Sequence, residues 1–145
     1  YDCVLAFARA AARAGCTRFV MVSSVGANRA SKNFYLRVKG EIEEALQGMK
    51  APALDIVQPG LLLGLRTHLR PLELAAQIGM PIANLFLWGE ALKFRGISAE
   101  TVGHAMLGAA RSGRKSVNRY TYEEIVRLAA LNKPSYKPVA AKPAD

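Results

Sequence analysis

Apolar residues recur every three to four positions in several segments of the chain, which is the spacing of one helix face. These segments cover residues 2 to about 14, 33 to about 47, 69–88, 98 to about 110 and 122 to about 131. Residues that commonly cap the start of a helix precede or begin four of these segments: Asp2, Asn33, Ser98 and the Thr121-x-x-Glu124 pair. Pro71 and Pro81 interrupt the segment at 69–88.

Short apolar runs rich in β-branched residues lie between most of the helical segments. They cover residues 17–23, 53–58, 116–120 and, more briefly, 93–96. Runs of this length and composition are typical of buried parallel strands. Because helices and strands alternate, the pattern predicts an α/β fold with a parallel sheet. In such sheets, reactive groups collect where the strands end and the loops begin.

Polar side chains with useful chemistry follow the first predicted strand. Ser23 and Ser24 stand at its carboxyl end, and Tyr35 and Lys39 lie one turn apart on the same side of the next helix. A neighbouring cation favours the ionised form of a phenol, and a serine hydroxyl can donate to a substrate carbonyl oxygen. The structural alternative is that Tyr35 only packs and that the Lys39 stem covers apolar surface.

A turn after the next strand, Gln58-Pro59-Gly60, completes a recognisable pattern. Ser24, Tyr35-x-x-x-Lys39 and Pro59-Gly60 together resemble the active-site half of a short-chain dehydrogenase/reductase. The run Asn33-Phe34-Tyr35-Leu36-Arg37-Val38-Lys39-Gly40-Glu41 is similar to the atypical branch that contains Tat-interacting-protein-like oxidoreductases and epimerase-like NAD(P)-binding proteins. The resemblance covers about residues 1 to 130.

The resemblance implies an NAD(P)-dependent oxidoreductase or epimerase-like protein that acts on a small carbonyl or alcohol substrate. Tyr35 would be the general acid/base, with Lys39 and Ser24 as its catalytic support. The cofactor, NADP or NAD, would be bound by Ser23, Tyr35, Lys39, Pro59, Gly60, Leu61 and Leu62. The resemblance also allows a homodimer. The alternative function is a non-catalytic NAD(P)-binding regulatory or scaffold protein of the same fold.

The glycine-rich phosphate loop of dinucleotide-binding folds is missing from the sequence. No G-x-G-x-x-G occurs in the 145 residues, and the sequence does not begin with Met. We therefore expect residues 1–131 to form the carboxyl-terminal part of a Rossmann-like doubly wound parallel sheet without its amino-terminal βαβ unit. Such a fragment is expected to be inactive alone. Residues 132–145, rich in Pro, Lys and Ala, are expected to form a mobile basic tail.

Composition narrows the remaining classes of function. The net charge of +9 suggests a basic module that binds nucleic acid or acidic protein. However, the 20 basic residues are scattered along the sequence, and no RNA-binding aromatic signature accompanies them. His68 and His104 lack metal-ligand spacing, so no metal site is predicted. No apolar run is long enough to predict a membrane span. The sparse pair Cys3 and Cys16 and the lack of a secretory signal predict a cytoplasmic protein.

Overall fold

The computed structural model describes residues 1–49, 53–63 and 93–132, which form a parallel sheet with helices on both faces. The helices are α1 (Asp2–Arg13), α2 (Phe34–Gly48), α3 (Ala99–Arg111) and α4 (Tyr122–Leu131). The strands are β1 (Arg18–Val22), β2 (Ala53–Val57), β3 (Leu62–Leu63), β4 (Ile97–Ser98) and β5 (Ser116–Tyr120). The predicted α/β class is confirmed, and the arrangement is consistent with a partial Rossmann-like fold.

The main sheet has the strand order β1-β2-β5, and both of its pairings are parallel. Val22, Val57 and Tyr120 are aligned across the sheet, so the three strands end at the same level. The ladder continues one residue further, because Ser23 N donates to Val57 O at 2.7 Å and Gln58 N donates to Tyr120 O at 2.9 Å. We call this side of the sheet the carboxyl edge. β3 and β4 form a second, two-stranded parallel pair.

Side chains on the two faces of the sheet enter different apolar clusters. Leu54 and Ile56 of β2 pack with Leu5 of α1 and with Ile42 and Leu46 of α2. On the other face, Val57 and Tyr120 pack with residues of α3 and α4, among them Val102, Ala105, Ala109, Ile125 and Ala129. The central strand β2 is buried along its whole length, as expected of a parallel strand covered on both sides.

The core contains a charged side chain in the middle of its central strand. Asp55, in the middle of β2, is fully buried and forms an ion pair with Arg18 of β1. Its Oδ1 also accepts hydrogen bonds from Asn118 Nδ2 at 3.0 Å and from Tyr120 Oη at 2.9 Å. A buried carboxylate is tolerated only when it is paired and hydrogen-bonded, and here the partners join all three strands. Burial and the bond to Asp55 raise the pKa of the Tyr120 hydroxyl above its ordinary value near 10.

Most predicted element boundaries agree with the structure, and two predictions are wrong. Asp2 does not cap α1. The capping position is Tyr1, without a side-chain bond, and Asp2 lies in the first turn, where its charge still favours the positive end of the helix. The short strand predicted at 93–96 is instead found at Ile97–Ser98, where Leu62 and Leu63 supply its partner strand.

Other predictions fall outside the described residues. These are the broken helix at 69–88 and the tail from residue 133 onward. Asn132, which was assigned to the tail, is the C-cap residue of α4. Within the described parts of the chain, no helix combines the length and the apolarity needed to cross a membrane.

Candidate active site

The connection between β1 and α2 is held tightly against the helix. Asn28 N donates to Leu36 O at 3.1 Å, and the Asn33 side chain caps α2 by accepting from Leu36 N at 3.2 Å. Gly40 permits the closest approach, because a Cβ at this position would lie 2.4 Å from Arg29 N. Real Cβ atoms do not tolerate such a distance, so the loop can take this position only beside a glycine. The role of Gly40 was not foreseen from the sequence.

Lys39 connects α2 to the end of β1. Its Nζ donates to Val22 O at 3.0 Å and lies 5.8 Å from the centroid of the Tyr35 ring. An ammonium has three donors, and this is the one hydrogen bond that Lys39 makes among the described residues. The structure therefore brings Lys39 to the carbonyl that directly precedes Ser23 and Ser24, with donors to spare.

Tyr35 and Ser24 are not in direct contact. The Tyr35 side chain is exposed, with a residue exposure of 55%. Ser24 is half-buried, and its hydroxyl donates to Val25 O at 3.3 Å, which is a long hydrogen bond. Within the described part of the chain no hydrogen bond joins the two hydroxyls. A molecule bound between them would have to bridge the phenol and the serine.

Ser23 presents a different environment. It is 2% exposed, and its Oγ has no hydrogen-bond partner among the described residues. Buried hydroxyls in proteins are ordinarily hydrogen-bonded, so this oxygen is able to bond to a bound molecule. Ser23 was predicted to bind a cofactor, and the unpartnered oxygen is compatible with that prediction.

The Pro59-Gly60 turn lies beside the serine-bearing loop. Pro59 O accepts from Val25 N at 3.0 Å. A Cβ on Gly60 would lie 2.8 Å from Arg95 O and 2.8 Å from the carbonyl carbon of Phe94, so glycine allows the turn to pack directly on that backbone. Leu61 and Leu62, which follow the turn, are 42% and 43% exposed. The turn is therefore fixed at the carboxyl edge, and two apolar side chains extend from it.

A buried carboxylate that was not predicted from the sequence connects α2 to this turn. Glu43, whose side chain is 6% exposed, accepts from Gln58 Nε2 at 2.8 Å and from Arg119 Nε at 3.4 Å. Glu43 follows Lys39 by one helical turn, and Gln58 directly precedes Pro59. The helical spacing of Tyr35, Lys39 and Glu43 was the available signal, but a glutamate on a helix is ordinarily solvated.

The described residues fit one half of a dinucleotide. Lys39, with donors to spare, and Ser23, with its unpartnered oxygen, can hold ribose hydroxyls and the amide end of a nicotinamide. The residues for the other half, a G-x-G-x-x-G loop, do not occur in this sequence. The described ranges contain no group of three or more His, Cys, Asp or Glu side chains that could hold a metal ion.

Comparison with known proteins identifies particular relatives of this chain. No family model matches the chain. It is similar to the mitochondrial protein FMP52-1 of Scheffersomyces stipitis, with 36% identity over 128 residues, covering 83% of this chain and 55% of the relative. It is also similar to fmp52-1 of Aspergillus terreus, with 49% identity over 70 residues, covering 48% of this chain and 30% of the relative.

A mammalian protein is also among the relatives. Rat HTATIP2 is 41% identical over 76 residues, covering 52% of this chain and 31% of the relative. The homologues of this chain are therefore FMP52-like and HTATIP2-like proteins. Even in the longer alignments, the chain spans about half the length of the curated relatives it matches, with 55% and 56% of two FMP52 proteins covered.

The relatives correct one prediction. Several of the fungal homologues are named as mitochondrial proteins, and this contradicts the predicted cytoplasmic location. The prediction rested on the sparse cysteines and on the lack of a secretory signal. These features argue against an oxidising, secreted environment, but they do not separate the cytosol from the interior of an organelle.

Proposed function

We propose that this chain carries the active-site half of an NAD(P)-dependent oxidoreductase of the short-chain dehydrogenase/reductase type. The observation that supports it best is the position of Lys39. Its ammonium is hydrogen-bonded to Val22 O, beside the two serines, and lies 5.8 Å from the Tyr35 ring. The similarity to FMP52 and HTATIP2 proteins adds support, and the names of the FMP52 proteins suggest that this protein also belongs to mitochondria.

In this proposal each side chain has one role. A bound nicotinamide would supply or accept a hydride. Tyr35 transfers the proton to or from the substrate oxygen, and the nearby Lys39 ammonium stabilises the phenolate that this transfer leaves. Ser24 exchanges its long bond to Val25 O for a bond to the substrate oxygen, where charge develops during the reaction.

The cofactor-binding residues in the proposal are Ser23, Tyr35, Lys39, Pro59, Gly60, Leu61 and Leu62. Ser23 offers the buried oxygen that has no partner among the described residues. The turn at Pro59 and Gly60 lies under the bound cofactor, and the exposed side chains of Leu61 and Leu62 cover apolar parts of the bound molecules. The net charge of +9 favours the approach of an anionic dinucleotide.

A second candidate is a non-catalytic NAD(P)-binding protein of the same fold. The observation that favours it is the open arrangement of Tyr35, which is 55% exposed and makes no hydrogen bond to Ser24 within the described residues. A protein that binds the cofactor only as a signal needs Ser23, Lys39 and the Pro59-Gly60 turn. It does not need the phenol to be aligned with the serine.

The test uses the complete product of the gene, with Tyr35→Phe as the principal variant. NADPH and NADH binding is followed by the fluorescence of the reduced nicotinamide, and turnover is followed with a panel of aldehydes and ketones. We expect Tyr35→Phe to retain cofactor affinity within about threefold while turnover falls by about 100-fold or more, the usual loss for a general acid/base.

Paired lysine variants provide the control. Lys39→Met is expected to lose both cofactor affinity and turnover, whereas Lys32→Met, at an exposed position in the preceding loop, should lose neither. Unchanged turnover in Tyr35→Phe would refute its catalytic role. Cofactor binding without turnover of any substrate would favour the non-catalytic candidate, and the absence of binding to either nucleotide would refute both.

A further inference from the structure

The side chain of Arg95 is half-buried, and its Nε is completely buried without a hydrogen-bond partner among the described residues. Arg18, another largely buried arginine, is paired with Asp55. Its guanidinium also donates to backbone carbonyls of Ala109 and Arg114. Arg95 makes no ion pair within the described ranges. A desolvated guanidinium donor without an acceptor is costly, so this position is suited to a ligand that supplies one.

The surroundings of Arg95 place it at the carboxyl edge. Its backbone packs on the Pro59-Gly60 turn, where a Gly60 Cβ would lie 2.8 Å from Arg95 O. Two residues further on, Ile97 N donates to Leu61 O at 2.8 Å. The guanidinium carbon lies 5.8 Å from the ring centroid of Tyr122, the first residue of α4. Arg95 thus contacts the segments that follow both β2 and β5.

The acidic residues nearest in sequence to Tyr122 do not neutralise Arg95. Glu123 and Glu124 occupy the first turn of α4. Glu124 accepts from Thr121 N at 3.4 Å as part of the capping box, and neither carboxylate forms an ion pair with Arg95 in the described structure. The guanidinium carbon lies within cation–π distance of the Tyr122 ring, and a planar guanidinium binds carboxylate or phosphate through paired hydrogen bonds.

We propose that Arg95 binds an oxyanion, a phosphate or a carboxylate, beside the Pro59-Gly60 turn. The inference rests on the proposed function only for the origin of this group, which belongs either to the substrate or to the dinucleotide. The binding of the anion itself depends on Arg95, on its cation–π partner Tyr122 and on the backbone contact with Gly60.

The test records the Nε–Hε resonance of Arg95 by ¹⁵N–¹H NMR of the protein while inorganic phosphate is added at constant ionic strength. Arg95→Gln identifies the resonance by removing it. Phosphate is expected to shift this resonance in a saturable way, and Arg95→Gln should weaken phosphate binding by about tenfold or more, as expected for loss of a charge-assisted bond. Arg95→Lys keeps the positive charge but loses the paired N–H donors of the guanidinium, so it should give an intermediate affinity.

Arg114→Gln is the matched control. The Arg114 guanidinium also lies 5.8 Å from a tyrosine ring centroid, that of Tyr120, but the residue is exposed. Its replacement should leave phosphate binding unchanged. The proposal is overturned if phosphate does not shift the Arg95 resonance, or if Arg114→Gln weakens binding as much as Arg95→Gln. Circular dichroism of each variant separates lost binding from lost folding, and Arg95→Lys carries the test if Arg95→Gln does not fold.

A second titration, with NADPH present, identifies the source of the anion. If Arg95 holds a dinucleotide phosphate, NADPH displaces inorganic phosphate, and Arg95→Gln weakens NADPH binding by about tenfold. If Arg95 holds a substrate group, phosphate binds in the presence of NADPH, and NADPH affinity is unchanged in Arg95→Gln. Both results support the anion site. Failure of the proposed function is recognised separately, as the absence of NADPH binding while phosphate still shifts the Arg95 resonance.

Discussion

Removing the Glu43 carboxylate is a direct test of how α2 is held to the carboxyl edge. The hydrogen bond from Gln58 Nε2 to Glu43 Oε1, 2.8 Å long, has a charged acceptor, and such bonds contribute about 1.5–3 kcal/mol to stability. The Arg119 contact is longer, at 3.4 Å, and Arg119 is 45% exposed, so it adds at most about 1 kcal/mol. Glu43→Ala is therefore expected to lower the free energy of unfolding by about 1.5–4 kcal/mol.

The assay is urea unfolding followed by circular dichroism, applied to a double-mutant cycle of Glu43→Ala and Gln58→Ala. The cycle isolates the interaction between the two side chains, and we expect a coupling of about 1.5–3 kcal/mol. Glu43→Gln, which can still accept from Gln58, should cost only about 1 kcal/mol. Glu44→Ala is the matched control, because the adjacent glutamate is 55% exposed and pairs with Arg29, itself 68% exposed.

The result that would refute this reasoning is a Glu43–Gln58 coupling below about 0.5 kcal/mol, which is the usual limit of additivity for independent sites. A Glu44→Ala loss as large as that of Glu43→Ala would also contradict it, because exposed pairs contribute little. If the coupling is confirmed, amide chemical shifts of the Pro59-Gly60 turn should change in Glu43→Ala and stay constant in the control.

Two further predictions concern packing and pH. Gly40→Ala should destabilise the protein by about 1–3 kcal/mol through overpacking, because its Cβ would lie 2.4 Å from Arg29 N. Gly103→Ala, with no atom within 4 Å of the new Cβ, should instead add up to about 1 kcal/mol through helix propensity, and equal losses in urea unfolding would contradict the packing argument. For Tyr120, the raised pKa means that its stabilising contribution is complete below about pH 10 and is lost as the pH rises toward the folded-state pKa. Tyr120→Phe should therefore show a weaker loss of stability above about pH 10 than the wild type, and identical slopes would refute the assignment.

The fold was largely predictable because local patterns and tertiary packing agree along most of the chain. The strand at Ser116–Tyr120 and the caps at Ser98 and Thr121 were recognisable from a few neighbouring residues. The segment at 93–96 was not, because the position of β4 depends on pairing with Leu62 and Leu63, more than thirty residues earlier. Short strands are determined by their partner as much as by their own residues.

The same difference between local and distant contacts decides which features of the candidate site could be predicted. Tyr35 and Lys39 share a helix, so their spacing could be read directly from the sequence, and the described structure places the Lys39 ammonium near the Tyr35 ring. The contacts of Glu43 could not be predicted, because its partners Gln58 and Arg119 are 15 and 76 residues away. The same holds for Arg95, whose buried Nε has no hydrogen-bond partner among the described residues. Such a property is visible only when the neighbours are known.

The side chains of β2 alternate between the two faces of the sheet, and this alternation restricts where the chain can gain or lose residues. Leu54 and Ile56 face α1 and α2, whereas Asp55 faces its polar partners on β1 and β5. Deleting a single residue early in this strand would exchange the two sides. The carboxylate would enter an apolar layer, and the isoleucine that follows it would meet an arginine and a tyrosine hydroxyl. Insertions and deletions in homologous chains are therefore expected in the connecting loops and excluded from this strand.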